Sequence, residues 1–453
     1  MKKISASLLI YLSTYSFSAI ANNSDSGDMY FSGYTPDITK YSAHLKSDRD
    51  YSVLDAFLTQ QTIKHSRSKI QFILNALQDN QNKNARIAFI ADQLRDIPYI
   101  FTGAIGESDW QPASSTYQPG ALHIKQDPAY RLDGLDCQTF VQVAMALLYS
   151  KNIDEFDQNI LKISYGAAGN PAGEIVHFYN RNNFVESDWN PINQRNGWLT
   201  DPTLKSNLSA YAAVTHATIT RQNWFLFQQK NLSANVRVLN ETDGSAMAKR
   251  FMTIYSNLDY PNFDSEMVAT TYIPKEKIAV RQADGSYQPD QTLLDMIPTP
   301  AVVEIVRDTK KWNLGGKNIK DLIGTELSIS HMGLLYRKTF QQDDLIYRKV
   351  SCNYDNQHQK ICAVTPVICQ KDHCDELMFL HATDARPNGF HWYKQADGNY
   401  ACSANVPPGI TNFTECNRVE EQPLFDYLTD YQYGSYWYMN SPSIIGIHLE
   451  QLI

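Results

Sequence analysis

The stretch Arg131-Leu-Asp-Gly-Leu-Asp-Cys137-Gln-Thr-Phe-Val-Gln-Val-Ala-Met-Ala-Leu-Leu148 organises the rest of the chain. An Asp-Gly turn leads into a short polar step and then an apolar run. Phe140, Val143, Ala144, Leu147 and Leu148 recur at helical spacing, which predicts a buried helix. Cys137 falls in its first turn. Free backbone N–H groups and the helix dipole favour a thiolate there, so the thiol pKa is expected to fall. The adjacent Asp136 carboxylate works against that, so a basic partner is needed to hold a thiolate. A cysteine in this place is either reactive or a buried structural residue, and the other cysteines bear on the choice.

Those cysteines are read through the start of the chain. Residues 1–21 carry a signal-peptide pattern: Lys2 and Lys3, a mostly apolar middle, and Ala19-Ile20-Ala21 as a small-x-small cleavage site. No cysteine follows that site to take a lipid anchor, and no later segment approaches a membrane-spanning length. The expected location is therefore periplasmic or secreted, where cysteines pair. Of seven cysteines, six lie late: Cys352, Cys362, Cys369, Cys374, Cys402 and Cys416. They predict three disulfides. Many connectivities are possible, and nearest neighbours are the simplest: Cys352–Cys362, Cys369–Cys374 and Cys402–Cys416. A zinc site at Cys369, His373 and Cys374 competes with this, but an exported context favours disulfides. The odd cysteine is Cys137, which favours a reactive thiol. The reading includes no metal and no cofactor.

The expected organisation is a signal peptide over 1–21, a polar lead-in with an N-terminal helical region over 22–84, and a catalytic domain over 85–453. That domain carries large insertions, one of them disulfide-rich near 350–420. Helical periodicity marks Ser52 to Gln78 and Ala85 to Leu94, the second ending before Pro98. Ala301 to Val306, Leu327 to Arg337, Met378 to Ala382 and Ile444 to Leu449 predict strands. In the second of these, His331 shares a face with Gly333, which leaves room beside it. Residues 210 to 260 hold a Ser/Thr-rich run and a polar helix of no evident role. A net charge of −8 argues against nucleic acid as partner. The 27 tyrosines and 7 tryptophans suit packing, or the stacking of sugar or peptide.

A thiol nucleophile needs a base within reach, and the base needs an orienting group. Cys137 on a helix, followed by His331 and His381 on strands, has the papain-like order. With Ile97-Pro-Tyr99-Ile-Phe-Thr-Gly103, Leu135-Asp-Cys137-Gln-Thr-Phe-Val141, Ser330-His331-Met-Gly-Leu334, Leu380-His381-Ala382 and Gly446-Ile447, the chain resembles the NlpC-type bacterial cell-wall hydrolases. It is most similar to their N-acetylmuramoyl-L-alanine amidase-like branch. His177-Phe-Tyr and Asp188-Trp189 also look like that branch.

The resemblance implies an α+β, papain-like NlpC-type fold, with the catalytic cysteine at a helix N-terminus packed on an antiparallel sheet. It implies hydrolysis of peptidoglycan amide bonds in the wall or in muropeptides. The implied roles are Cys137 as nucleophile, His331 as base and His381 as its orienter. The Cys137 N–H and the Tyr99 hydroxyl would hold the oxyanion, and Asp136, His177, Asp188 and Trp189 are candidates for substrate contact.

Three departures stand out. Gln138-Thr139 replaces the usual Ser-Gly of the wider superfamily. Gln142 stands where a Glu is common in the branch. The gap from His331 to His381 is long and carries four cysteines, so Asp384 is the substitute orienter. The favoured activity is the amidase. The alternatives are a stem-peptide endopeptidase cutting after D-Glu and an inactive wall-binding protein.

Overall fold

The structure is a computed structural model that describes residues 65–78, 80, 82–100, 130–165, 181–204, 207–221, 223–224 and 265–453. The signal-peptide pattern, most of the lead-in and His177 lie outside them. Four helices come first. Helix α1 spans residues 65–77, α2 Lys83–Leu94, α3 Cys137–Tyr149 and α4 Ile153–Tyr165. Helix α2 is capped by the Asn82 side chain and buries Ile87, Ile90, Ala91 and Leu94. Helix α3 is apolar nearly all round, and it is accordingly buried nearly all round. None of the described helices is long and apolar enough to cross a membrane.

The strands are β1 Leu199–Thr200, β2 Ala213–Ile219, β3 Glu266–Pro274, β4 Ala301–Arg307, β5 Ile329–Gln341, β6 Leu345–Tyr354, β7 Lys360–Ile368, β8 His373–Thr383, β9 His391–Lys394, β10 Tyr400–Ser403, β11 Phe413–Glu415, β12 Arg418–Pro423 and β13 Ile444–Leu452. The main sheet runs β12-β8-β5-β4-β13-β3-β2, with β1 also paired to β13. Every pairing in it is antiparallel. The fold is thus α+β, helices against an antiparallel sheet. Strand β2 comes from the Ser/Thr-rich run whose role the sequence leaves open. It forms because β3 pairs with it along its whole length.

Side-chain alternation divides the sheet into two faces. Met332, Leu334 and Tyr336 of β5, with Met378, Leu380 and Ala382 of β8, pack in one core with α3. Leu335 and Phe379 join a second core with Leu424, Tyr427 and Leu428.

The long stretch between the two histidines is a hairpin set on a hairpin. Strands β6 and β7 pair with each other, and β8 then returns along β5. The three disulfides join Cys352–Cys362, Cys369–Cys374 and Cys402–Cys416, and Cys137 is free. Nearest-neighbour pairing is therefore the observed one, and the zinc reading of Cys369 and Cys374 falls. Cys352 and Cys362 sit directly opposite in the β6–β7 ladder. Alkylation of the denatured, unreduced protein is expected to label Cys137 alone; three or more labelled thiols would defeat this pairing. Replacing Cys352 and Cys362 with serine is expected to cost about 2–4 kcal/mol in denaturant unfolding.

Candidate active site

The helix start is built by a capping box. The Asp136 carboxylate accepts the Thr139 N–H at 2.7 Å, and Thr139 Oγ1 accepts the Asp136 N–H at 2.9 Å. This orients Cys137 as the first helical residue. Asp136 is thereby committed to the turn. Gln138 is tied to the Asn182 carbonyl at 2.7 Å. Gln142 is fully buried with neither amide atom hydrogen-bonded.

Cys137 is partly exposed, and its sulfur accepts N–H groups from Met332 and Gln138. Those donors favour the thiolate, as expected of a helix start. They do not prevail. Burial, followed by the nearby Asp136 and Asp384 carboxylates, pushes the thiol up to about 12. The expected fall in thiol pKa is thus reversed, because the surroundings remove more solvation than the helix terminus replaces.

His331 immediately precedes Met332, whose N–H meets the sulfur. A bulge at Ser330, where Ile305 pairs with His331 but Val306 with Ile329, turns this end of the strand. Burial, with Arg307 second, lowers the His331 pKa to about 3, so its ring is neutral. Nε2 of His331 lies 2.8 Å from Nδ1 of His381. His381 is completely buried and stacks on Phe379 with ring centroids 4.3 Å apart. Burial, His331 and Arg386 hold its pKa well below the usual value. His381 is therefore the group in hydrogen-bond contact with His331. Asp384 lies instead in the field of Cys137 and Tyr99. Cys137 and His331 are not hydrogen-bonded to each other, and such contacts commonly tighten only when substrate binds.

Gly333 makes the histidine contact possible. A Cβ there would meet Phe379 at 2.4 Å, the Leu380 carbonyl at 2.5 Å and His381 Cβ at 2.8 Å. The Tyr99 phenol faces Cys137, Asp384 and Asp136, and burial above all raises its pKa, so it stays a hydrogen-bond donor.

Two other sequence candidates serve the scaffold. Trp189 is wholly buried in the α3 core. Asp188 pairs with Arg221 and accepts the Phe184 N–H. Both belong to the Val185–Trp189 π-helical turn; the Trp189 ring is closed off by the core, and Asp188 is engaged by Arg221.

Sequence reasoning missed several ionisable residues near this centre. Glu420 lies across from His381 in the β8–β12 ladder, and Arg386 binds it. Glu304 lies across from Met332, fully buried, its carboxyl pushed up to about 8 by desolvation. It was detectable as the lone acid in Ala301-Val-Val-Glu-Ile-Val306. Beside it, His448 is raised to about 9 against burial, by its bond to Glu450 and by Glu304.

A thiol at a helix start, a neutral imidazole on the adjoining strand and a second buried imidazole in contact with it are groups whose chemistry suits acyl transfer. Residues 113–365 match the family model described as AmiA-like, N-acetylmuramoyl-L-alanine amidase-like. The match covers more than half of the chain, which belongs to this family. Membership supports a peptidoglycan-related hydrolase. The matched residues include Cys137 and His331 but stop short of His381, Arg386 and Glu420.

Among solved structures, the fold is shared with a Legionella pneumophila protein, at TM-score 0.55 and 21% identity over 87% of this chain and 96% of that one. An N-acetylmuramoyl-L-alanine amidase from Bacteroides uniformis aligns at TM-score 0.37 and 16% identity over 82% of this chain and 99% of its own. No curated protein matches the sequence.

Two predictions follow from the geometry. Because the thiol is un-ionised at rest, iodoacetamide labelling of native Cys137 is expected to speed up about tenfold per pH unit from about 7 to 10. A plateau below about pH 8 would reveal a preformed thiolate. Gly333→Ala is expected to cost about 1–3 kcal/mol by overpacking, read by thermal or denaturant unfolding.

Proposed function

We propose that the chain is a cysteine-dependent N-acetylmuramoyl-L-alanine amidase acting on peptidoglycan or its fragments. The observation that carries this is the lone free thiol at the start of a buried helix, meeting the strand of a neutral His331 that is itself held by His381. We read the arrangement as papain-like and NlpC-type.

In this mechanism His331 Nδ1 takes the Cys137 proton as the sulfur attacks the lactyl carbonyl. The Cys137 N–H and the Tyr99 hydroxyl hold the oxyanion. The tetrahedral intermediate collapses with cleavage of the C–N bond, and His331 returns the proton to the departing L-Ala amine. Water, deprotonated by the same histidine, then attacks the thioester carbonyl; the C–S bond breaks, the lactyl carboxylate is freed, and the departing Cys137 sulfur takes the proton back from His331. Since thiol and imidazole are both neutral at rest, proton transfer and attack belong to one step.

An endopeptidase would need a carboxylate for the free amine of its substrate. The capping role of Asp136 weakens that reading, because its Oδ1 is held by Thr139. Export to the periplasm or beyond is part of the proposal, supported by the signal-peptide pattern and the disulfides.

The test is to incubate purified muropeptide with native protein and with Cys137→Ala, and to weigh the products. A whole sugar and a stem peptide beginning with L-Ala, formed only by native protein, is the expected outcome. Cleavage after D-Glu would overturn the bond assignment, and activity in the alanine variant would overturn the mechanism.

A further inference from the structure

We propose that Glu420, held in place by Arg386, is a positioning residue that sets the tautomer of His381 and through it keeps His331 Nδ1 open as a proton acceptor. The inference rests on the reading of Cys137 and His331 as nucleophile and base.

The argument follows the protons. One proton occupies the 2.8 Å contact between His331 Nε2 and His381 Nδ1. For His331 Nδ1 to accept from the thiol, Nε2 must carry that proton and donate it. His381 Nδ1 is then an acceptor, and its own proton sits on Nε2. That Nε2 is completely buried and makes no hydrogen bond. The carboxylate facing it is Glu420, with Oε1 at 3.9 Å. This is longer than a hydrogen bond, so at rest the coupling is electrostatic.

Nothing about this placement is loose. His381 and Glu420 are directly paired residues of β8 and β12. Arg386 Nη2 donates to both Glu420 oxygens, at 3.0 and 3.3 Å. The Arg386 and Glu420 side chains are only 4% and 11% exposed, so water does little to screen them. Phe379 and Tyr427 pack on the His381 ring and hold its plane. Neither ring offers an ionised acceptor that would choose between the two nitrogens; Glu420 does. Arg386 adds a second effect, since its positive charge disfavours a second proton on His381.

Two substitutions separate this role from a structural one. In Glu420→Gln, Arg386 takes the amide oxygen and leaves the NH2 facing His381 Nε2. A donor there favours the opposite tautomer, protonated at Nδ1. His331 must then move its proton to its own Nδ1, and it ceases to be a base. In Glu420→Ala no donor is introduced, and both tautomers are accessible.

The expected order is therefore unusual. Against a muropeptide, kcat should fall about a hundredfold in the Gln variant, the low end of what general-base catalysis supplies. It should fall less in the Ala variant, with KM near native in both, although Ala is the less isosteric change. Nitrogen-15 spectra of histidine-labelled protein should show His381 protonated at Nε2 in native protein and at Nδ1 in the Gln variant. Native kcat in Glu420→Gln, a larger loss in Ala than in Gln, or an unchanged tautomer would overturn the proposal. Activity surviving Cys137→Ala would instead sink the underlying mechanism. The tautomer spectra need no activity, so the two failures are told apart.

Discussion

The contact between His331 and His381 depends on the absence of a side chain at Gly333. Strands β5 and β8 bring the two rings to one face of the sheet, as antiparallel pairing allows for diagonal neighbours. Any Cβ at 333 would collide with a backbone carbonyl and with His381 itself. The glycine is therefore required by close approach rather than by an unusual backbone angle. The bulge at Ser330 shifts the register of the β4–β5 ladder beside His331.

Electrostatics at this centre is governed by desolvation. Two N–H groups reach the Cys137 sulfur, yet the thiol stays protonated because burial and two carboxylates outweigh them. The same burial keeps both histidines neutral. The capping box creates part of this tension. Asp136 stabilises the helix by roughly 0.5–2 kcal/mol, as such caps do, while its charge opposes a thiolate one residue away. In the proposed mechanism the thiol is activated as it attacks rather than by storing a thiolate beforehand.

The disulfide-bearing segments contribute to the centre without touching it. Val350, Cys352, Trp392, Cys402 and Cys416 form a small core of their own. Arg418, at the start of β12, lies over the Trp392 ring at 3.5 Å. Arg386 follows β8, and its backbone N–H donates to the Asn417 side-chain oxygen at 2.8 Å. The stapled insertion thus braces the strand that carries Glu420. A hairpin held by disulfides can extend a β5–β8 connection without loosening the pairing at its base.

Much of this was legible in the amino-acid sequence because the signals are local. Helical spacing after Cys137, β-branched runs for β4 and β13, and the count of clustered cysteines need only neighbouring residues. The lone thiol and the two strand histidines follow from the same reading. What tertiary structure alone decided are quantities set by residues distant in the chain. The thiol pKa depends on how much solvent the packed helix and sheet exclude, and no local pattern reports that. That His381 rather than Asp384 contacts His331 depends on strand register across the insertion. Asp188 and Trp189, which the resemblance offers as candidates for substrate contact, are anchored by Arg221 and by the core. Glu420 and Arg386 have no signature of their own, because an ion pair acquires meaning only when cross-strand pairing sets it beside the ring whose proton it directs.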